Sequence, residues 1–173
     1  MFSGCTSLTQ APELPATTFI NANWCYNSMF RDCTSLTQAP ALPATTLADY
    51  CYNSMFFGCT SLSVAPELPA TTLAEGCYTS MFSGCTSLTQ APALPATVLA
   101  NWCYNIMFQG CTSLASMDVS FTAWDPVNAT ENWMTNAGSQ AIGTKTFTCP
   151  EDLPDNPGDS GIPSDWTRAS KTA

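Results

Sequence analysis

The sequence contains no histidine, and this absence excludes several common kinds of chemistry. Without His the chain has no Ser-His-Asp or Cys-His nucleophilic site, no His metal ligand and no imidazole general base. Basic residues are also scarce, because four Lys and Arg stand against thirteen Asp and Glu and give a net charge of −9. Contacts to phosphate need clustered Lys or Arg, so we expect no nucleic acid and no anionic membrane surface as a partner.

Long apolar runs are missing as well. No stretch of the sequence approaches the roughly 18 consecutive apolar residues of a membrane span, so we expect no membrane insertion. A basic segment followed by an apolar one is absent from the start, so this chain carries no recognisable secretion signal. Because Met1 to Cys5 reads as the middle of a repeat, and a natural repeat array needs a polar cap, we expect the chain to be a fragment of a longer protein.

The sequence does contain one repeated unit, best seen from Met55 to Ser80. Three of the four intervals between the first Met residues of successive copies are 26 residues, and the first interval is 28. A fixed period of about 20 to 50 residues is typical of a solenoid, in which each copy buries its apolar face against its neighbours. We predict two units, namely the repeats over residues 1–117 and a non-repetitive C-terminal capping region over residues 118–173.

The spacing of apolar residues within a copy predicts one helix and one strand. Leu47, Cys51 and Met55 follow one another at i, i+4 and i+8, which indicates a helical stripe facing a core, and Gly58 is suited to ending that helix. The Pro-containing half of each copy can form a strand of only about three residues, because Pro removes a backbone donor. The predicted fold class is an α/β solenoid, an arc with short parallel strands on its concave face, short helices on its convex face and a small C-terminal cap.

Three further elements are predicted beyond the repeats. Met117–Phe121 is expected to be a last strand that completes the sheet. Ala129–Met134 reads as a short helix, and Thr144–Cys149 alternates between polar and apolar residues like a strand.

The F-x-G-C-T-S-L element, together with Leu and Ala at fixed steps, resembles the BspA-like (Treponema-type) leucine-rich repeats of bacterial surface proteins over residues 1–117. The chain departs from that family in having Leu-Ala-x-x-Cys-Tyr-x-x-Met-Phe and a 26-residue period, where the familiar form has Ile-x-x-Ala-Phe and a shorter period. The resemblance implies a cell-surface or secreted protein that adheres to other molecules and does not catalyse a reaction.

Ten cysteines are the most prominent chemical feature, and nine of them recur in two columns phased with the repeat. One interpretation is the disulfide framework of a secreted protein. The other, which we favour, is buried free thiols, because equivalent side chains in stacked copies run parallel and do not converge. A zinc site is disfavoured because no C-x2-C pair occurs. The predicted structural core is Cys33, Cys51, Cys59, Cys77, Cys85, Cys103, Cys111, Leu36, Leu62 and Leu88.

Two sets of side chains are candidates for binding. The predicted strands present polar residues that can hydrogen-bond a sugar or a backbone, although any solvated sheet looks similar. These candidate ligand-binding residues are Thr9, Gln10, Thr37, Gln38, Ser63, Thr89 and Gln90. Trp24, Tyr50 and Trp102 are either an exposed sugar-binding platform or, as is more common, half-buried packing residues.

An acidic loop near the C-terminus is a weak candidate for calcium. Asp152, Asp155 and Asp159 gather oxygen ligands between Pro and Gly residues, but their spacing does not fit the EF-hand pattern. An ordinary acidic loop is the better interpretation, so we expect no metal and no cofactor.

The sequence favours a non-enzymatic module that binds an extracellular protein or glycan. The alternative is a structural spacer or self-assembling element whose open N-terminal repeat stacks end to end on another copy. A hydrolase with paired carboxylates is disfavoured because the acids within the repeats are isolated from one another. Those acids are Glu13, Asp32, Asp49, Glu67 and Glu75.

Overall fold

The computed structural model describes residues 1–126 and 128–171. Its regular strands are short and parallel and form one sheet in the order β1-β2-β3. They are β1 (Ser116–Asp118), β2 (Thr146–Cys149) and β3 (Thr167–Ser170). Single parallel bridges continue this pairing back through the repeats, joining Gln10 to Gln38, Gln38 to Val64 and Gln90 to Ser116. Equivalent positions of successive copies therefore lie side by side on one face.

No α-helix occurs in the part of the chain that the structure describes, so the predicted α/β solenoid with helices on its convex face is wrong. Residues 49–58, which were predicted to be helical, form consecutive turns. Tyr50, Ser54 and Gly58 have left-handed backbone conformations, with φ of 56°, 52° and 70°. A left-handed residue at every fourth position prevents the continuous i→i−4 bonding that defines an α-helix.

Backbone N–H groups in these turns alternate between two kinds of partner. The N–H groups of Met55 and Cys59 donate to carbonyls three residues earlier, those of Tyr52 and Phe56, at 3.2 and 3.1 Å. The N–H of Phe56 donates instead to the carbonyl of Met81 in the next copy, at 2.9 Å. The turns thus satisfy their own backbone while binding one copy to the next.

The distance between copies explains why turns replace helices. The ring centroids of Phe30, Phe56 and Phe82 follow one another at steps of 5.7 Å. Packed helices need about 8–10 Å between their axes, whereas parallel strands lie only about 4.8 Å apart. A step of 5.7 Å leaves room for extended or turning backbone beside each copy and leaves no room for a helix.

The core lies between the turns and the bridged face, and columns of identical side chains fill it. Phe rings stack at 5.5 to 5.7 Å and Tyr rings at 5.9 to 6.1 Å. The Phe column is Phe2, Phe30, Phe56, Phe82 and Phe108, and the Tyr column is Tyr26, Tyr52, Tyr78 and Tyr104. The cysteines and leucines expected in the core are fully buried beside these columns.

The C-terminal segment continues the same hydrogen bonding across residue 117. The N–H groups of Tyr104 and Phe108 donate to the carbonyls of Ala129 and Trp133, both at 2.8 Å. Ala129–Met134 consists of turns, so the short helix predicted there is also wrong. The strand predicted at Thr144–Cys149 is confirmed as β2, and β1 overlaps the strand predicted from Met117.

None of the described residues belongs to a helix that is long and apolar enough to cross a membrane.

Candidate binding face

The bridged side of the repeats carries the polar residues that the sequence singled out. We call this side the Thr/Gln face. Each of its predicted ligand-binding residues is exposed to solvent. They are Thr9, Gln10, Thr37, Gln38, Ser63, Thr89 and Gln90. Parallel bridges hold Gln10 beside Gln38 and Gln38 beside Val64, so two amide side chains lie side by side and a valine interrupts the row in the third copy.

Two grooves open on this face between successive copies. The larger, groove A, has a volume of about 590 Å³ and runs between Ser63–Pro69 and Thr89–Pro95. The smaller, groove B, has a volume of about 340 Å³ and lies between Gln10–Pro15 and Gln38–Pro43. The two grooves occupy equivalent places in the first and second pairs of copies. Gln38 and Gln90 therefore each line a groove, and the other predicted binding residues lie in or beside one.

Proline makes the groove walls stiff. Pro66, Pro69, Pro92 and Pro95 line groove A, and each fixes its own backbone φ near −65°. The buried leucine between two of these prolines, Leu68, ties the wall to the core. A stiff wall loses little conformational freedom when a ligand binds, which favours binding.

Each groove has one carboxylate, and sequence reasoning missed its significance. Glu13 lines groove B and Glu67 lines groove A, and both are exposed. The matching positions in the following copies are Ala41 and Ala93, so the sequence alternates A-P-E-L-P with A-P-A-L-P. Both grooves lie where a copy with Glu is followed by a copy with Ala. The alternation is visible in the sequence, but only the stacking of copies places each Glu beside an Ala in a groove.

The cysteines are free thiols, in agreement with the interpretation we favoured. One column bonds each copy to the copy before it, because Cys59 donates its S–H to the carbonyl of Phe30 at 3.0 Å and Cys85 donates to that of Phe56 at 3.1 Å. Burial raises the pKa of the Cys59 thiol to about 12. A buried neutral thiol is a poor nucleophile and a poor metal ligand, so these columns serve packing.

The structure does not bring the three candidate carboxylates of the acidic loop together. Within residues 1–126 and 128–171, no three His, Cys, Asp or Glu side chains lie close enough together to hold a metal ion. Asp155 is paired with Arg168, whose Nη1 lies 2.5 Å from its Oδ1. Asp152 and Asp159 are exposed, and the carbonyl of Asp159 accepts the N–H of Met134 at 3.0 Å. The bond from Met134 to Asp159 holds the acidic loop against the turns around Met134.

On the turn side, the exposed Trp24 stacks on the half-buried Tyr50, and the column is then interrupted. Trp24 is 57% exposed and stacks on Tyr50 at 4.3 Å with an interplanar angle of 6°. Gly76 holds the next place in this column, and the ring of Tyr50 leans over it. The hydroxyl of Tyr50 donates to Oε1 of Glu75 at 2.7 Å, which raises the pKa of Tyr50. Trp102 lies beyond the gap and is only 38% exposed.

Comparison with known proteins identifies no relative of this chain. No protein-family model, no curated protein and no solved structure matches the chain.

Proposed function

We propose that the chain is a non-enzymatic binding module that presents its Thr/Gln face to an extracellular protein or glycan. The observation that carries this proposal is the pair of equivalent grooves, of about 590 and 340 Å³, on the face where the polar residues are exposed. The resemblance of residues 1–117 to BspA-like repeats supports its place in a cell-surface or secreted protein. We expect no cofactor to take part.

The chemistry of the face suits recognition of a polymer. A Gln side chain both donates and accepts hydrogen bonds, so Gln38 and Gln90 can pair with peptide groups or with sugar hydroxyls. Equivalent grooves in successive pairs of copies suit a ligand that repeats along its own length. Extended surfaces made by stacked copies are the usual binding sites of repeat proteins.

The same face is poorly suited to catalysis. Each groove contains one carboxylate, Glu13 or Glu67, whereas acid–base hydrolysis generally needs two groups placed around the scissile bond. Burial raises the pKa of the Cys111 thiol, and no cysteine lines either groove. The arrangement therefore supports binding without chemistry.

A structural role is the second candidate, and the near identity of the copies favours it. Phe56 stacks on Phe30 and on Phe82, each at 5.7 Å, so each copy presents similar stacking surfaces on both sides. A second chain can use such surfaces to stack on this one. Sedimentation of the Cys5→Ser variant, which cannot form disulfide dimers through that thiol, tests the idea. A concentration-dependent dimer favours assembly, and a monomer at all concentrations counts against it.

Binding is tested by a screen of the folded chain against extracellular matrix proteins and glycans, with and without calcium. We expect a saturable ligand whose affinity falls about tenfold in the double variant Gln38→Ala, Gln90→Ala, because each lost hydrogen bond contributes about 0.5–1.5 kcal/mol. The matched control is Asn101→Ala, an exposed amide on the turn side. Unchanged affinity in the double variant would show that the Thr/Gln face does not bind the ligand. If no molecule of the screen binds the folded monomer, the structural spacer is favoured.

A further inference from the structure

The two grooves differ from an ordinary polar surface in the charge that each contains. Glu13 and Glu67 sit one to a groove, and the matching positions of the following copies, Ala41 and Ala93, are uncharged. Neither carboxylate belongs to the ion pairs found in the described residues, which join Arg31, Lys145, Arg168 and Lys171 to other acids. Those four residues are all the Lys and Arg that the chain has. The grooves therefore face solvent with uncompensated negative charge.

The spacing of the carboxylates is set by the stacking of copies. Glu13 and Glu67 are two copies apart, and neighbouring parallel strands are about 4.8 Å apart, so the two positions are separated by roughly 10 Å along the face. The Phe column gives a similar value, since successive rings step by 5.5 and 5.7 Å over the same two copies.

A polyproline II chain matches this spacing. It advances about 3.1 Å per residue with three residues per turn, so side chains three positions apart point the same way about 9.3 Å apart. Its backbone has no internal hydrogen bonds, which leaves N–H and C=O groups free to pair with Gln10, Gln38 and Gln90. A β-strand advances a similar distance in three residues, but successive side chains point to opposite faces, so positions i and i+3 do not face one partner.

We propose that the Thr/Gln face binds an extended basic peptide in the polyproline II conformation, with Lys or Arg at every third position paired to Glu13 and Glu67. This inference rests on the proposed binding function and names its ligand class. The net charge of −9 also attracts a cationic partner at long range and speeds its association.

The test is a titration of the full chain with a labelled peptide of repeated Lys-Pro-Pro units at low ionic strength. We expect saturable binding that weakens as salt is added. The double variant Glu13→Gln, Glu67→Gln should lose about threefold to tenfold in affinity, which is the range of two exposed ion pairs. Glu151→Gln, an exposed acid outside both grooves, should leave the affinity unchanged.

A charge-conserving variant separates spacing from net charge. Glu13→Gln combined with Ala41→Glu keeps the total charge but puts the two carboxylates in adjacent copies, about 5 Å apart. We expect this variant to bind the Lys-Pro-Pro peptide as weakly as the double Gln variant does. Equal affinity of the charge-conserving variant and the original chain would overturn the spacing argument.

The remaining outcomes distinguish the inference from the function on which it rests. If a neutral Gln-Pro-Pro peptide or a glycan binds equally well, and only Gln38→Ala and Gln90→Ala weaken it, the basic-peptide inference is wrong and the binding function stands. If neither peptide nor any molecule of the screen binds the folded chain, both are wrong.

Discussion

The repeated copies and the C-terminal segment, residues 118–171, are held together in different ways. In the repeats, identical side chains face each other in register, as Phe56 and Phe82 do at 5.7 Å with an interplanar angle of 7°. In the C-terminal segment, unlike rings meet edge to face around the buried Trp133, as Phe147 does at 6.1 Å and 76°. The repeats use one packing solution many times, whereas the C-terminal segment needs a separate solution for each contact.

Charge divides the two regions in the same way. Only one ion pair, Arg31 with Asp32, lies within the described repeats, and both of its side chains are exposed to solvent. Lys145, Arg168 and Lys171 all form ion pairs in or onto the C-terminal segment. The repeats therefore depend on groups that stay neutral when buried, and the C-terminal segment depends on groups that stay charged. The two regions should respond to different perturbations.

Alkaline pH should have the largest effect, and it should act on the repeats. Burial raises the pKa to about 12 for four thiols, Cys51, Cys59, Cys103 and Cys111. A thiol in the unfolded chain ionises near pH ~8.5. The stabilisation that comes from keeping these four thiols buried and neutral is therefore fully present below that pH, and it is lost as the pH rises towards ~12. Each such thiol lowers the free energy of unfolding by up to about 1.4 kcal/mol per pH unit in this range.

Urea unfolding measured from pH ~7 to ~11 checks this expectation. The buried Tyr78 and Tyr104, whose pKa values are also raised by burial, act in the same direction. Cys5→Ser is the control, because Cys5 is exposed and its removal should leave the pH dependence unchanged. A free energy of unfolding that stays constant up to pH ~11 would contradict the buried-thiol account.

Removing one cation should have a smaller effect, confined to the C-terminal segment. Arg168 pairs with Asp155 and also donates from Nη2 to the carbonyls of Leu153 and Pro150, at 2.5 and 3.3 Å. Arg168→Ala should lower the free energy of unfolding by about 1–3 kcal/mol, because partly buried carbonyls lose a charged donor.

Arg31→Ala is the matched control in the repeats. Its ion pair with Asp32 is exposed, so we expect a change of less than about 1 kcal/mol. Urea unfolding of both variants gives the comparison. Equal losses in the two variants would show that the repeats and the C-terminal segment do not differ in their dependence on charge.

The sequence predicted the core and the exposed face because both depend on which residues are apolar and on a fixed period. The core contains a row of buried residues at strict four-residue steps, namely Cys51, Met55 and Cys59. The buried stripe of a helix has a similar but not identical spacing. An α-helix has 3.6 residues per turn, so a strict four-residue row drifts across its surface, while a spiral of turns keeps the row straight. The strict spacing was the sign that these residues are not helical.

The grooves were harder to predict, because they arise from the space that a small side chain leaves. Ala41 and Ala93 read as ordinary small residues in the sequence, and only stacking places each of them beside a Glu of the preceding copy. The C-terminal segment was harder still. Trp133 lies 26 residues after Met107 and takes the place of the Met of each copy, and its carbonyl accepts the N–H of Phe108 at 2.8 Å. The spacing therefore continues the period, but the change from Met to Trp hides the repeat in the sequence.

Far-UV circular dichroism of the purified chain shows whether its repeats are built from turns or from helices. We predict a spectrum without the double minimum of an α-helix, because turns that bond alternately within and between copies replace helices throughout the described residues. A strong helical double minimum would contradict that account. It would also remove the 5.7 Å stacking step from which the grooves and their paired carboxylates follow.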